Sequence, residues 1–262
     1  MTHSAGFYNT IARFYDAENA GLTEDLVLYS ELADENGDPV LDVGCGSGRV
    51  MLHLAQQGFT VVGVDHSEVM LARGQRRLAA APDLKPLVTF VKGDVLTVDL
   101  PGLFKLIIVP YNTLMHFNTQ ERQLAALRRF HEWLDDEGLL VLDLPNAGEA
   151  FGTQDDGAIS LERMFTEPET GHLVMQQSYS TLDRITQQLH ITWIYDEITS
   201  DGTLRRTLAP LLLRYIFSGE IDLMLAMTGL RRVETYGDYS QESFVEGCPR
   251  MIVLAEKAPE AE

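Results

Sequence analysis

Val40-Leu-Asp-Val-Gly-Cys-Gly-Ser-Gly48 is the stretch on which the fold turns. Its first four residues read as a short buried strand, and the helical stretch 49–57 follows and stops at Gly58. Three glycines at alternate positions therefore sit between a strand and a helix. Glycine there permits a tight turn and lets the backbone come close to a ligand. A lone G-x-G is compatible with a nucleotide dehydrogenase or with a plain turn. The spacing here is G-x-G-x-G, not the G-x-G-x-x-G of dinucleotide sites. Asp42 lies two residues before the first glycine, where its carboxylate can accept from an amino group. A pyrophosphate pocket would not want that charge, whereas a ligand carrying an α-ammonium would. Gly44, Gly46 and Gly48 are candidate ligand contacts together with Asp42, and Cys45 is small enough to let a ligand pass.

Outward from this loop, the chain alternates strand and helix. Residues 60–64, 87–91, 104–109 and 139–144 are expected strands. Residues 67–80 form an expected helix with Ser67 as N-cap, and 119–134 another, with Leu124, Leu127, Phe130 and Leu134 at helical spacing. Strands this apolar, separated by helices, predict a parallel sheet covered on both faces. Before the loop, Tyr8, Ile11, Ala12 and Tyr15 share one helical face, and Leu22, Leu26, Tyr29 and Leu32 suggest a second helix. After residue 145 the character changes. Stretches 172–182, 187–199 and 203–215 are rich in Thr, Ile, Tyr and Trp, and Asp201-Gly202 is a hairpin signal between the last two. The chain then returns to the core pattern, with a helix over 218–228 capped by Gly229 and strands over 231–236 and 250–256. The expected organisation is an α/β core of residues 39–145 and 216–258, an N-terminal helical cap of residues 1–38, and an inserted antiparallel β lid of residues 146–215.

Composition narrows the function. The 262 residues are 45% hydrophobic, enough for a full core, and carry a formal net charge of -19. Phosphate binding needs clustered Lys and Arg, so nucleic acid is not an expected partner. The opening residues lack a positive start followed by an apolar run, and no apolar stretch is long enough to cross a bilayer, so a membrane partner is not expected either. Cys45 and Cys248 form no CxxC pair, which argues against a disulfide framework and a zinc site. The expectation is a cytoplasmic enzyme with reduced thiols and no metal. The oligomeric state stays open, a homodimer being one option.

Further acidic residues mark the same sheet edge. Asp65 ends the second strand, where a carboxylate can accept from both hydroxyls of a ribose. His66 and Met70 follow it into the next helix and are assigned to the same site. After the third strand, Gly93-Asp94-Val95 offers a carboxylate for an adenine amino group and an apolar edge beside it. The next strand ends at Pro110, leaving Tyr111, Asn112 and His116 at the carboxyl edge, where open α/β sheets bind ligands.

In these pieces, in their order and in their approximate spacing, the chain resembles the class I S-adenosylmethionine (SAM)-dependent methyltransferases. The resemblance is strong over residues 38–145 and looser elsewhere. It implies a Rossmann-like sheet of mixed direction whose last strand runs antiparallel. It also implies SAM as cofactor over the glycine loop, with Asp65 on its ribose and Asp94 near its adenine. Asn112-Thr-Leu-Met-His116 looks like the N-[ST]-x-x-H segment of glycine N-methyltransferases and related small-molecule enzymes. Asp143-Leu-Pro-Asn146 and Tyr236-Gly-Asp-Tyr239 are also similar to that group. The chain departs from glycine N-methyltransferase through most of the insertion, so glycine itself is not implied.

The expected function is methyl transfer to an N or O atom of a small-molecule acceptor. Methyltransferases acting on tRNA or protein, and a non-catalytic SAM-binding protein, remain as alternatives. In a direct displacement the protein mainly excludes water and aligns the reacting atoms. A base helps where the acceptor must lose a proton. His116 is the candidate, with a reference pKa of about 6.5. Tyr15, with Tyr8, can close over the methyl group, and Asn112 can orient a polar acceptor. Arg163, Arg184, Trp193, Tyr195 and Arg214 in the insertion read chiefly as sheet-surface or salt-bridge residues.

Overall fold

Val40–Val43 forms β1, all four residues buried, in the interior of a seven-stranded sheet in a computed structural model that describes residues 2–152 and 157–259. β1 pairs in parallel with β2 (Val61–Asp65) on one side and β4 (Phe104–Val109) on the other. β3 (Val88–Lys92) extends the β2 side and β5 (Leu134–Pro145) the β4 side, again in parallel. β11 (Arg250–Lys257) runs antiparallel to β5, and β10 (Leu230–Tyr236) closes that edge antiparallel to β11. The order is β10-β11-β5-β4-β1-β2-β3. The chain winds outward from β1 to β3, crosses back and winds the other way. Loops at the carboxyl ends of β1 and β4 therefore part from each other and leave a crevice.

Both faces of the sheet are covered, which is why its central strands read as largely apolar runs. On one face, Leu28, Tyr29 and Leu32 of α2 (Glu24–Asn36) and Met51 and Leu54 of α3 (Arg49–Gln56) pack on Val40, Leu106 and Ile108. On the other, Leu127 and Phe130 of α5 (Gln120–Trp133) and Ile221 and Met224 of α7 (Ser218–Ala226) pack on Leu41, Ile107 and Val109. Ser67 caps α4 (Glu68–Ala79), its hydroxyl accepting from the Met70 N–H at 3.2 Å. Thr119 does the same for α5, accepting from Arg122 N–H at 3.3 Å.

The insertion folds into a separate antiparallel sheet in the order β6-β7-β8-β9, formed by β6 (Ile159–Thr166), β7 (Leu173–Asp183), β8 (Gln188–Ile198) and β9 (Leu204–Arg214). The last three are the expected meander, and Gly202 turns the β8–β9 hairpin with φ 82°. β6 was not expected. It is an edge strand with almost every side chain exposed, so no inside-outside alternation marks it. A short helix, α6 (Ala147–Gly152), links β5 to this sheet. β5 begins at Leu134 rather than at residue 139, because its polar first turn still pairs with β4 through Phe104 and Leu134.

The N-terminal helices divide between the two layers. α1 (Thr2–Glu18) buries Phe7, Ile11 and Phe14 against Val174, Tyr195 and Leu211 of the second sheet. Phe14 stacks on Tyr195, ring centroids 4.7 Å apart and 9° from parallel. α2 belongs to the core face described above. α1 thus brings the second sheet over the crevice, which positions the site.

Candidate active site

The glycine loop turns through left-handed conformations at Gly44 (φ 75°) and Gly46 (φ 53°) that a side chain would resist. A Cβ on Gly44 would also lie 2.8 Å from the Thr113 side chain. Asp65 fastens the loop: one carboxylate oxygen accepts from Gly46 N–H at 2.9 Å and the other from Ser67 N–H at 2.7 Å. Burial raises the Asp65 carboxyl, and these backbone donors oppose the rise. Beneath the loop, Asp42 is 1% exposed, and neither of its oxygens has a hydrogen-bond partner among the described residues. Burial pushes it up to about 7, against the pull of the Arg49 guanidinium and of the Met51 backbone N–H, which lies nearby but outside hydrogen-bond geometry. Arg49 is itself committed to Asp25 by a two-pronged ion pair. A buried carboxylate without a partner is costly, so the loop carries an unmet hydrogen-bond acceptor.

Above the loop lies a cavity of about 640 Å³, walled by Gly44, Asp65, His66, Gly93, Asp94 and Val95 from the expected set. Thr113, Phe117 and Arg122 also line it and were not anticipated. The other expected contacts are not in its wall. Cys45 packs toward Gly63, and Met70 is 1% exposed with its methyl group beneath Gly46. Pro110 is buried at the end of β4, Gly46 gives its N–H to Asp65, and Gly48 precedes α3 in a left-handed conformation.

A second cavity of about 600 Å³ lies between α1 and the inserted sheet. Tyr8 and His116 border both cavities and form the wall between them. The Tyr8 hydroxyl and His116 Nε2 are hydrogen-bonded at 3.0 Å. Tyr15 and Asn112 also border this chamber, so the three candidate catalytic residues meet there. One expectation about them is corrected. His116 does not titrate near neutrality: burial, with His66 nearby, lowers it to about 4, so the ring is neutral at pH 7 and a weak base. Asn112 immediately precedes Thr113–His116, which is a 3₁₀ helix with about three residues per turn.

The Asn112 amide oxygen accepts from Arg250 at 3.0 Å. This contact belongs to a hub on Asp143, whose carboxylate is fully buried. Asp143 accepts from the Tyr29 and Tyr239 hydroxyls at 3.0 Å each, from Tyr111 N–H at 2.9 Å, and from the Arg250 guanidinium. It clamps Tyr111 (φ 42°) and Asn112 (φ 67°) in left-handed conformations that non-glycine residues rarely take.

A family described as "Methyltransferase domain" matches residues 40–138. The chain is 27% identical over 262 residues to the cypemycin N-terminal methyltransferase of a Streptomyces species, covering 98% of this chain and 100% of that one. It is 28% identical over 148 residues to the dTDP-3-amino-3,6-dideoxy-α-D-glucopyranose N,N-dimethyltransferase of Streptomyces fradiae, covering 53% of this chain and 54% of the other. With several other curated relatives, too, the match spans about half of each chain. Among solved structures, the CcbJ methyltransferase of Streptomyces caelestis aligns over 98% of this chain and 99% of its own, with a TM-score of 0.83 and 27% identity. Over its core the chain is similar to the class I SAM-dependent methyltransferases.

The residues of this methyltransferase fit SAM. Asp42 is an orphaned carboxylate suited to an α-ammonium, and the cavity holds acidic Asp65 and Asp94 beside apolar Val95 and Phe117. Of the insertion's noted residues, Arg163, Trp193 and Tyr195 line the second chamber. Arg214 is structural, bonded to Gln123 at 2.7 Å and Glu220 at 2.6 Å, and Arg184 reaches the Phe151 carbonyl at 3.4 Å. Glu18 and Gln176 also line the chamber and were missed. Tyr8, Ile11, Tyr15 and Glu18 follow one helical stripe, so spacing alone could have flagged Glu18. No local pattern singles out Gln176.

Proposed function

We propose that this methyltransferase transfers the methyl group of SAM to a nitrogen of a small-molecule acceptor held in the chamber between α1 and the inserted sheet. The observation that carries the reading is the wall formed by Tyr8 and His116, common to both cavities. When bound, SAM supplies a methyl group on a sulfonium, an already activated electrophile. The chain's part is to bind, align and exclude water. Asp42 accepts from the amino-acid tail, Asp65 from the ribose, and Asp94 and Val95 meet the adenine. Tyr8 keeps its proton, since burial raises its phenol well above the usual range, and its hydroxyl orients the His116 ring. His116, neutral at pH 7, serves in positioning, and its Nδ1 is buried without a partner among the described residues. Tyr15 and Asn112 shape the acceptor's side of the wall. One relative that the chain matches is named as an N,N-dimethyltransferase and another as an N-terminal methyltransferase, which favours nitrogen over oxygen. The small-molecule reading is supported by the amino-sugar N,N-dimethyltransferase among the chain's relatives and by the acidic chain, which disfavours nucleic acid.

The test is a panel of primary and secondary amines and matched alcohols, incubated with purified protein and SAM and read by S-adenosylhomocysteine release. Turnover is expected with amines. Turnover of alcohols alone, or no SAM binding, would reject the proposal.

A further inference from the structure

The second chamber holds a carboxylate that none of the roles above uses. Glu18 closes α1 and projects among Tyr8, Tyr15, Trp193 and Tyr195. One of its oxygens is engaged, accepting from the Tyr195 hydroxyl at 3.0 Å and from Gln176 Nε2 at 2.9 Å. The other receives only a long 3.5 Å contact from Asn19 Nδ2, which is better bonded to the Tyr15 carbonyl at 2.8 Å. Arg163 donates to the backbone carbonyl of Glu18 rather than to its carboxylate. Gln176, 3% exposed, spends its amide N–H on Glu18 and Tyr195, and its Oε1 is buried with no partner among the described residues. The chamber therefore offers two unmet hydrogen-bond acceptors, one anionic, inside aromatic walls. A ligand that satisfies them must bring donors and positive charge, and aromatic faces favour such a cation further.

We propose that Glu18 recognises the acceptor: the chamber takes a protonated amine, whose N–H bonds are accepted by the free oxygen of Glu18 and by Gln176 Oε1, and Glu18 then removes one proton. The N–H bond breaks, an O–H bond forms on Glu18, and the electron pair stays on nitrogen as the nucleophile. Charge balances, since ammonium and carboxylate become amine and carboxylic acid. This assignment rests on the reading of the chamber as the acceptor site. It is consistent with burial pushing Glu18 up to about 7, a carboxyl able to exchange a proton at neutral pH. The groups facing Glu18 do not compete. Burial keeps the phenols of Tyr8 and Tyr15 on α1 and Tyr195 on β8 protonated, His116 is neutral above about 4, and Arg163 on β6, an arginine, stays charged.

Calorimetry with the full chain saturated with S-adenosylhomocysteine tests the proposal, with benzylamine and its neutral counterpart benzyl alcohol as probes. The wild type should prefer benzylamine by roughly tenfold or more, the scale of one charge-assisted hydrogen bond. Benzylamine affinity should rise between pH 6 and 8 as Glu18 ionises, and alcohol affinity should not. Glu18→Gln should lose the preference and the pH dependence while its affinity for S-adenosylhomocysteine is unchanged. Equal binding of the two probes by the wild type, a flat wild-type pH profile, or a preference that survives in Glu18→Gln would overturn the role of Glu18. Absence of S-adenosylhomocysteine binding by the wild type would instead overturn the proposed function beneath it.

Discussion

Asp42→Asn should make the ligand-free protein more stable at pH 8 and less able to bind SAM. In the folded chain the carboxyl titrates at about 7, against 3.8 for a free aspartate. Each tenfold change in an ionisation constant is about 1.4 kcal/mol, so keeping Asp42 ionised costs the fold on the order of 4 kcal/mol. The sign follows from proton uptake. The folded state holds this proton more tightly than the unfolded state, so the stability from Asp42 is fully present below about pH 4. It is lost as pH rises through about 7. Asparagine removes the charge but leaves a buried amide without a partner, which takes back part of the gain. The net stabilisation at pH 8 should be about 2 kcal/mol, shrinking as pH falls toward 4. The variant also loses a charge-assisted bond to the α-ammonium, so SAM affinity should fall roughly ten- to hundredfold. Urea denaturation of both ligand-free proteins at pH 4, 6 and 8, with calorimetry of SAM binding at pH 8, reads both effects. A variant no more stable than wild type at pH 8, or one that binds SAM equally well, would refute the reasoning.

Asp65→Ala should weaken SAM binding by about ten- to hundredfold, and it should also lower the melting temperature, because Gly46 and Ser67 lose their acceptor. An unchanged Kd in the folded variant would exclude Asp65 from the ribose role. His116→Ala should slow turnover yet leave the shape of the pH-rate profile above pH 6 as in the wild type, since the ring is already neutral there. A neutral-pH step present in the wild type and missing from the variant would restore His116 as the base. Asp143→Ala strands the buried Arg250 and releases Tyr29, Tyr239 and the Tyr111 N–H, so urea denaturation should show a loss of about 3–5 kcal/mol. A loss under about 1 kcal/mol would mean that the hub does not hold the turn.

The class of the fold and the cofactor were legible because local signals carry them. Strand 40–43, three alternating glycines and a helix beginning at Arg49 can be arranged in few ways, and the largely apolar strands imply cover on both faces. Asp65 and Asp94 line the first cavity, and their positions at strand ends, read together with the glycine loop, point to that edge. The hairpin at Gly202 was legible from its turn chemistry. Edge strand β6, exposed along nearly its whole length, left no such mark.

Tertiary structure decided what lies between distant segments. Glu18 on α1 meets Gln176 on β7 and Tyr195 on β8 only because Phe14 stacks on the inserted sheet and draws α1 across the crevice. His116 reads as an ordinary neutral-pH histidine in sequence, and its low pKa comes from burial against Tyr8, more than a hundred residues away. Asp143 and Arg250 likewise meet across two antiparallel strands and tie down the turn at Tyr111. Hydrophobic periodicity and turn chemistry are properties of neighbouring residues, so the sequence by itself determined the layers and the cofactor loop. Desolvation and charge pairing depend on what is packed nearby in space, so only the folded chain decided which side chains share the chamber and which of them hold protons.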